Sequence, residues 1–348
     1  MRVGEVFSYI KRGDAKNIAK REKTSEGVAL ISAKDRNNGF NFATQPNNNE
    51  TIYKDVLTIN NNGSVGCSYY HPYNFIATSD VTILKTSENI SKHAKIFITR
   101  VLSKFSEKYA YGYKISNDRL KKQPIMLPIN SSGDPNWKFM EEYVKQEEKR
   151  QRQLVLDYCK EQLDRCLATL QGDVTSLENV KWKAFKMEDV FEINSGIRLT
   201  KKDQQDGKIP FVGASDSNNG ITAFISNINS SIDKNVLGVN YNGSVVYNFY
   251  HPYTALFSDD VKRLHLKNVS YEKREVYLFL KQMIFQQRVK YAYGYKFNGE
   301  RMKAQPILLP ATMQGTPDFR FMECFILQEE AKLYKKIIER LEKTKDIN

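Results

Sequence analysis

The sequence predicts two mixed α/β (α+β) domains in tandem, each followed by a long helix, in a pseudo-twofold duplicated arrangement. Three observations carry this expectation. The chain repeats itself over most of its length, short β-branched runs bounded by Asn and Gly recur inside each copy, and each copy closes on a segment of helical periodicity.

The repeat is literal in places. KYAYGYK at Lys108–Lys114 returns letter for letter at Lys290–Lys296, an offset of 182 (290 − 108). At the same offset QPIMLP (Gln123–Pro128) matches QPILLP (Gln305–Pro310), GDPNWKFMEEY (Gly133–Tyr143) matches GTPDFRFMECF (Gly315–Phe325), and QEE recurs at Gln146–Glu148 and Gln328–Glu330. NGSV (Asn62–Val65) and His71-Pro72-Tyr73 recur 180 residues on, at Asn242–Val245 and His251–Tyr253; NNG at Asn37–Gly39 recurs 181 on, at Asn218–Gly220. So many collinear matches mark a duplication. The expected division is a first domain over 1–133, a spacer helix over 134–175, a second domain over 176–315 and a C-terminal spacer helix over 316–348.

In the second copy, the apolar β-branched runs Ile209–Gly213, Asn235–Val239, Ser244–Phe249, Tyr253–Phe257 and Val261–Leu266 predict strands. A helix follows over Glu272–Val289, with its counterpart at Lys92–Ser106. One more strand then ends at Pro310, and at Pro128 in the first copy. Gly112 and Gly294 suit a helix stop. Long helices begin near Trp137 and Phe319, after Pro135 and Pro317. Leu156, Cys159, Leu163, Cys166 and Leu170 recur at 3-4-3-4 spacing, a coiled-coil seam; Leu333, Tyr334, Ile337, Ile338 and Leu341 form the matching stripe of an antiparallel pair. KQEEKRQRQ (Lys145–Gln153) is all polar, either solvated or covered by a partner.

Composition narrows the class. The net charge is +13 over 348 residues, which suits a polyanionic partner, nucleic acid or an anionic membrane, and equally a merely solvated basic surface. No run approaches the roughly 18 apolar residues of a spanning helix, and the opening MRVGEVFSYIKRGDAK lacks the apolar core of a signal peptide. Cys67, Cys159, Cys166 and Cys324 are sparse and unpatterned, as in a reducing cytoplasm. A cytoplasmic protein without membrane association is expected.

Catalytic motifs are missing from the sequence. Asp134-Pro135-Asn136-Trp137 lacks the second proline of an adenine methyltransferase motif and reads better as the start of a helix. No Gly-rich phosphate loop occurs. Asp318 and Glu323 lack the lysine of a nuclease site, and Cys159 and Cys166 are spaced for a helix seam rather than zinc. His71 and His251, each beside proline, suit either a phosphate contact or turn packing, the second being favoured. No catalytic residue, metal or cofactor is assigned.

Basic and aromatic residues stand together at matched places. Tyr113, Lys114, Arg119, Lys121 and Lys122 answer to Tyr295, Lys296, Arg301 and Lys303, a pattern suited to phosphate neutralisation, though the tyrosines equally suit a core. If the two copies read different half-sites, matched loop positions that differ are the base-reading candidates. These are Lys34 and Arg36 against Ser215 and Ser217; Cys67 and Ser68 against Tyr247 and Asn248; and Lys11 and Arg12 against Arg198, Lys201 and Lys202.

Trp182–Gly220 (WKAFKMEDVFEINSGIRLTKKDQQDGKIPFVGASDSNNG) resembles the opening of target-recognition domains in type I restriction–modification DNA specificity subunits and in the shorter BcgI-like type IIB specificity subunits. Gly294–Pro310 (GYKFNGERMKAQPILLP) resembles their closing part. The likeness runs through both copies, although Met1–Phe7 has no counterpart of the Trp182–Phe185 lead-in. It implies α/β recognition domains similar to that of TaqI-type methyltransferases, and a bipartite double-stranded DNA target. It also implies methyltransferase subunits docked on the helices, at residues such as Leu156, Leu163, Leu170, Ile337 and Leu341. S-adenosylmethionine would sit on that partner, and nuclease activity in a restriction subunit. The rival classes are a self-contained methyltransferase or nuclease and a basic assembly adaptor.

Overall fold

The computed structural model describes residues 1–109, 113–170, 176–291 and 295–343; Gly112 and Gly294 lie outside them. Two compact units divide the chain, Met1–Leu154 and Val155–Asn348.

In chain order the first unit holds α1 (Val3–Val6), β1 (Phe7–Arg12), β2 (Val28–Ile31), β3 (Phe40–Thr44), β4 (Val56–Asn60), β5 (Ser68–His71), β6 (Phe75–Ala77), β7 (Val81–Thr86), α2 (Lys92–Ser103), α3 (Asn117–Lys122) and the start of α4 (Trp137–Thr169). Strands run β1-β7-β4-β5 in an antiparallel sheet and β3-β2-β6 in a mixed one. β4, VLTIN, is buried at every position, so β-branched and apolar residues suit both its faces. α2 is capped by Ser91, whose Oγ accepts from the Ala94 amide. It turns Ala94, Ile98 and Leu102, spaced by four, onto the core with Leu57, Ile59 and Leu84.

The second unit adds β8 (Trp182–Lys186), α5 (Met187–Val190), β9 (Phe191–Ser195), β10 (Asp206–Val212), β11 (Ile221–Ile225), β12 (Ile232–Asp233), β13 (Val236–Asn240), β14 (Asn248–His251), β15 (Ala255–Phe257), β16 (Val261–Leu266), α6 (Arg274–Phe285), α7 (Gly299–Ala304), β17 (Pro306–Pro310) and α8 (Phe319–Lys343). Its sheets repeat the plan, β9-β16-β13-β14 and β11-β10-β15-β12. The register repeats as well: Leu57 faces Leu84 as Leu237 faces Leu264.

Three expectations change. The run Ser244–Phe249 is a turn up to Tyr247, and its strand begins only at Asn248. Gly243 (φ +59°) and Val246 (φ +68°) hold that turn in the left-handed region, which a strand cannot enter. Among the described residues the closing strand forms only in the second unit, where β17 pairs with β8 from Pro306–Lys186 to Pro310–Trp182. In the first unit Pro124 makes a single bridge to Arg2. Both core helices are shorter than expected and end in a 3-10 turn, Lys104–Glu107 and Gln286–Lys290.

The long helices start where predicted. Asn136 and Asp318 cap them, their Oδ1 atoms accepting from the Phe139 and Phe321 amides at 3.0 and 2.9 Å. Asp318 therefore serves as a cap. α4 has 33 residues, about 50 Å of helix. Inside the second unit its C-terminal half packs antiparallel on α8: Tyr158 meets Tyr334, Lys160 pairs with Glu342, and Arg320 Nη2 donates to the Thr169 carbonyl. Cys166, Leu327 and Ala331 form the seam with Leu163, Leu170 and Tyr334 around them, and Leu156 and Cys159 are buried too. Leu333 is half exposed, off the seam; the stripe runs Leu327, Ala331, Tyr334, Ile338, Leu341, with Ile337 beside it.

Candidate nucleic-acid interface

The loop before α7 alternates outward and inward. Tyr295 and Lys296 are exposed, while Phe297 is fully buried and packs 4.5 Å from the Tyr291 ring. Asn298 caps α7, its Oδ1 accepting from the Arg301 amide at 3.0 Å. That cap sets Arg301 over the loop: its guanidinium lies 3.9 Å from the Tyr295 ring centre, and Nη1 donates to the Lys296 carbonyl at 2.9 Å. Tyr295 in turn stacks on Tyr291, at 5.5 Å and 11°.

The first unit builds the same object from its own residues. Tyr113 stacks on Tyr109 at 5.1 Å and 11°, Arg119 covers Tyr113 at 4.7 Å, and Arg119 Nη1 donates 3.0 Å to the Lys114 carbonyl. Ser116 caps α3, and Ile115 and Leu120 are the buried anchors. Of each matched tyrosine pair one member is core and the other surface. Of the shared candidates Lys114, Arg119, Lys121 and Lys296 are exposed, and Arg301 and Lys303 are half-buried, the last paired with Glu300 at 3.0 Å.

The candidates that differ between copies fall into two groups. Lys34, Arg36, Ser215 and Ser217 sit on matched loops, anchored because Asn60 and Asn240 donate to the Lys34 and Ser215 carbonyls at 3.0 and 2.8 Å. Lys34 Nζ binds Asn41, Arg36 is exposed beside Asp35, and the Ser215 and Ser217 hydroxyls lie 3.1 Å apart. Arg198 is exposed near Asp259, and Lys11, Arg12, Lys201 and Lys202 are exposed. Tyr247 is half-buried, its hydroxyl accepting from Arg288 Nη1 at 2.8 Å. Cys67 is half-buried as well.

Ser68 and Asn248 do not reach the surface. As first residues of β5 and β14 they face inward, Ser68 Oγ donating to the Thr58 carbonyl and Asn248 Nδ2 to that of Val246. Their burial removes them from direct base reading. Arg288, whose guanidinium lies 5.3 Å from the Tyr247 ring centre, answers to Ser106 in the first copy, so matched identity gives no sign of it.

His71 and His251 are structural. Both are fully buried, and burial pushes each imidazole down to about 4. His71 Nε2 bonds Thr58 Oγ1 at 2.9 Å; in the second unit Gly238 takes the threonine's place, and a Cβ there would come within 3.0 Å of His251 Nε2. Among the described residues no cluster of His, Cys, Asp and Glu could hold a metal ion, and no helix is long and apolar enough to cross a membrane.

Comparison with known proteins agrees with the duplicated geometry. The family described as "Type I restriction modification DNA specificity domain" matches residues 1–156 and again 179–343. A relative from Heyndrickxia coagulans, described as the type II restriction enzyme BgcI specificity subunit S.BcgI, is 42% identical over 324 residues, 92% of this chain and 91% of the relative. A crystal structure of a type I restriction–modification S subunit from M. genitalium aligns over 100% of this chain and 93% of its own, with a TM-score of 0.54 at 16% identity, a likeness of fold. With two tandem matches spanning both units, the chain belongs to the type I restriction–modification DNA specificity domain family.

Proposed function

We propose that this chain is a non-catalytic specificity subunit that reads a bipartite duplex DNA target in the cytoplasm and positions partner enzymes on it. One observation carries the reading: the Arg–Tyr–Tyr stack with its flanking lysines recurs, residue for residue, on both units. A repeated cationic surface suits the phosphate backbone, which is alike at both half-sites, whereas the differing loops at Lys34–Arg36 and Ser215–Ser217 suit base edges that differ. The antiparallel seam of α4 and α8 supplies a rigid platform for a methyltransferase subunit, and a restriction subunit would complete the complex. S-adenosylmethionine belongs to that methyltransferase partner in this reading.

The test is protection of a duplex by the purified chain across a salt series. Two separated protected clusters are expected, with affinity falling by several decades between about 50 and 200 mM salt if roughly six to ten phosphates are engaged. One contiguous footprint would refute the bipartite reading, and methyl transfer or cleavage by the chain alone would refute the non-catalytic one.

A further inference from the structure

One rung of the four-stranded sheet carries the same two chemistries in both units, but on opposite strands. In the first unit Arg12 of β1 faces Thr82 of β7; in the second Ser195 of β9 faces Lys262 of β16. Each rung has one cation and one hydroxyl, exchanged across the ladder.

Both rungs lie against the first residue of the short helix that bears the stacked arginine. In the first unit Thr82 is fully buried, its Oγ1 donating to Asn117 Oδ1 at 3.2 Å and accepting from Asn61 Nδ2 at 3.0 Å, while Arg12 is exposed. In the second unit Gly299 begins the helix, and a Cβ there would come 3.9 Å from the Lys262 stem. Tyr241 stands in place of Asn61. Lys262 Nζ lies 4.8 Å from the centre of its ring and donates to Ser195 Oγ at 2.7 Å. Partial burial, and secondarily the neighbouring Lys303, push the Lys262 ammonium's pKa down.

Four positions thus change together: Arg12 to Ser195, Asn61 to Tyr241, Thr82 to Lys262, Asn117 to Gly299. Asn60 and Asn240, the register of the central strand pair and the Arg–Tyr stack are common to both units, while the adjacent rung differs as well, Lys11 facing Ile83 where Asn194 faces Arg263. Unselected drift would lose a cation as readily as relocate it. Side chains opposite each other on a ladder have Cβ atoms about 5 Å apart, more than the roughly 3.4 Å step between stacked bases. Moving the charge one strand over therefore shifts it by a distance comparable to one base-pair step.

We propose that this exchanged pair is a specificity determinant of each unit, with Arg12 and Lys262 addressing acceptor atoms on a base edge, guanine O6 and N7 being the matching chemistry. The proposal rests on the reading of the chain as a DNA-recognition subunit. Ser195 and the Tyr241 ring hold Lys262 Nζ in one place, which a base contact requires and a loose phosphate contact does not.

The experiment equilibrates the full-length chain with a randomised duplex library and sequences the bound fraction. Lys262→Thr and Lys262→Met should each lose preference at one base pair of one half-site, on the order of tenfold, with the other half-site intact. Arg12→Ser should do the same in the other half-site. The double variant Ser195→Arg/Lys262→Thr should move the altered position. Unchanged base preferences, with binding weakened evenly across sequences, would overturn the proposal in favour of a phosphate contact. An effect of Lys262→Thr absent from Lys262→Met, which keeps the stem over Tyr241, would overturn it in favour of packing. A wild-type chain that enriches no sequence would sink the DNA-recognition reading itself, and the proposal with it.

Discussion

The Arg301 guanidinium, 3.9 Å above the Tyr295 ring, is tied at the same time to the Lys296 carbonyl, so one side chain fixes both an aromatic face and the loop that carries a lysine. Arginine does both because its planar guanidinium lies flat on the ring while its N–H groups donate in the plane, a geometry the compact lysine ammonium does not share. Arg301→Ala should weaken binding to every duplex sequence and lower the slope of log affinity against log salt by about one. Arg301→Lys should keep the slope and still lose affinity, because the loop is released. Filter binding at three salt concentrations separates them. A changed base preference in either variant would mean that residues common to both units read sequence after all.

The α4–α8 seam gives a paired stability prediction. Leu327 is buried against Cys166 and Ala331, whereas Leu333 is half exposed. Leu327→Ala should cost about 2–4 kcal/mol, and Leu333→Ala under about 0.5 kcal/mol. Thermal denaturation of the two variants checks this, and equal losses would place Leu333 in the packing after all.

Much of this fold is legible in the sequence because duplication supplies two readings of one pattern. Trp137 and Phe319 begin their helices as expected because the cap, Asn136 or Asp318, is a local signal. The strand at Ser244–Phe249 was misread because Gly243 and Val246 take positive φ, a property of the turn that an apolar run conceals. The apolar stripe on α8 takes in Leu333 on spacing alone, because periodicity does not give the stripe's phase, which the partner helix sets. In the site, the shared Tyr–Arg–Lys cluster followed from matched identity. The inward turn of Ser68 and Asn248 did not, because a one-residue difference along a strand decides which face a side chain takes.

Gly66 and Val246 occupy the same turn and meet its left-handed backbone differently. Gly66 has φ +86°, and a Cβ there would come 2.3 Å from the Ser106 amide nitrogen, backbone that cannot step aside. Val246 adopts φ +68° and is fully buried, held there by its surroundings at a cost on the order of 1–3 kcal/mol. Gly66→Ala should therefore destabilise the first unit by more than about 2 kcal/mol, read as a lower midpoint in urea. An unchanged midpoint would show that the turn tolerates a side chain in both copies.

Acid and alkali should act on this chain through different histidines. His71 and His251 are held near 4, below their unfolded value near 6.5. The unfolded chain thus binds protons that the folded one refuses as pH falls. Stability from each is complete above about 6.5 and is lost between there and about 4, up to about 3 kcal/mol apiece. His265 has the opposite sign. Burial opposes its charge, but Asp233 at 3.1 Å and Glu272 at 2.9 Å outweigh that and raise its pKa. Its contribution is complete below about 6.5 and is lost as pH rises through the raised value. In the first unit Lys85 holds the equivalent place, over the Tyr9 ring. Melting of the full chain from pH 4 to 9 should therefore show a fall in acid that His71→Gln reduces, and a decline above neutrality that His265→Gln flattens. A decline unaltered in the His265 variant would assign it to other groups and remove the Asp233–His265–Glu272 cluster from the pH response.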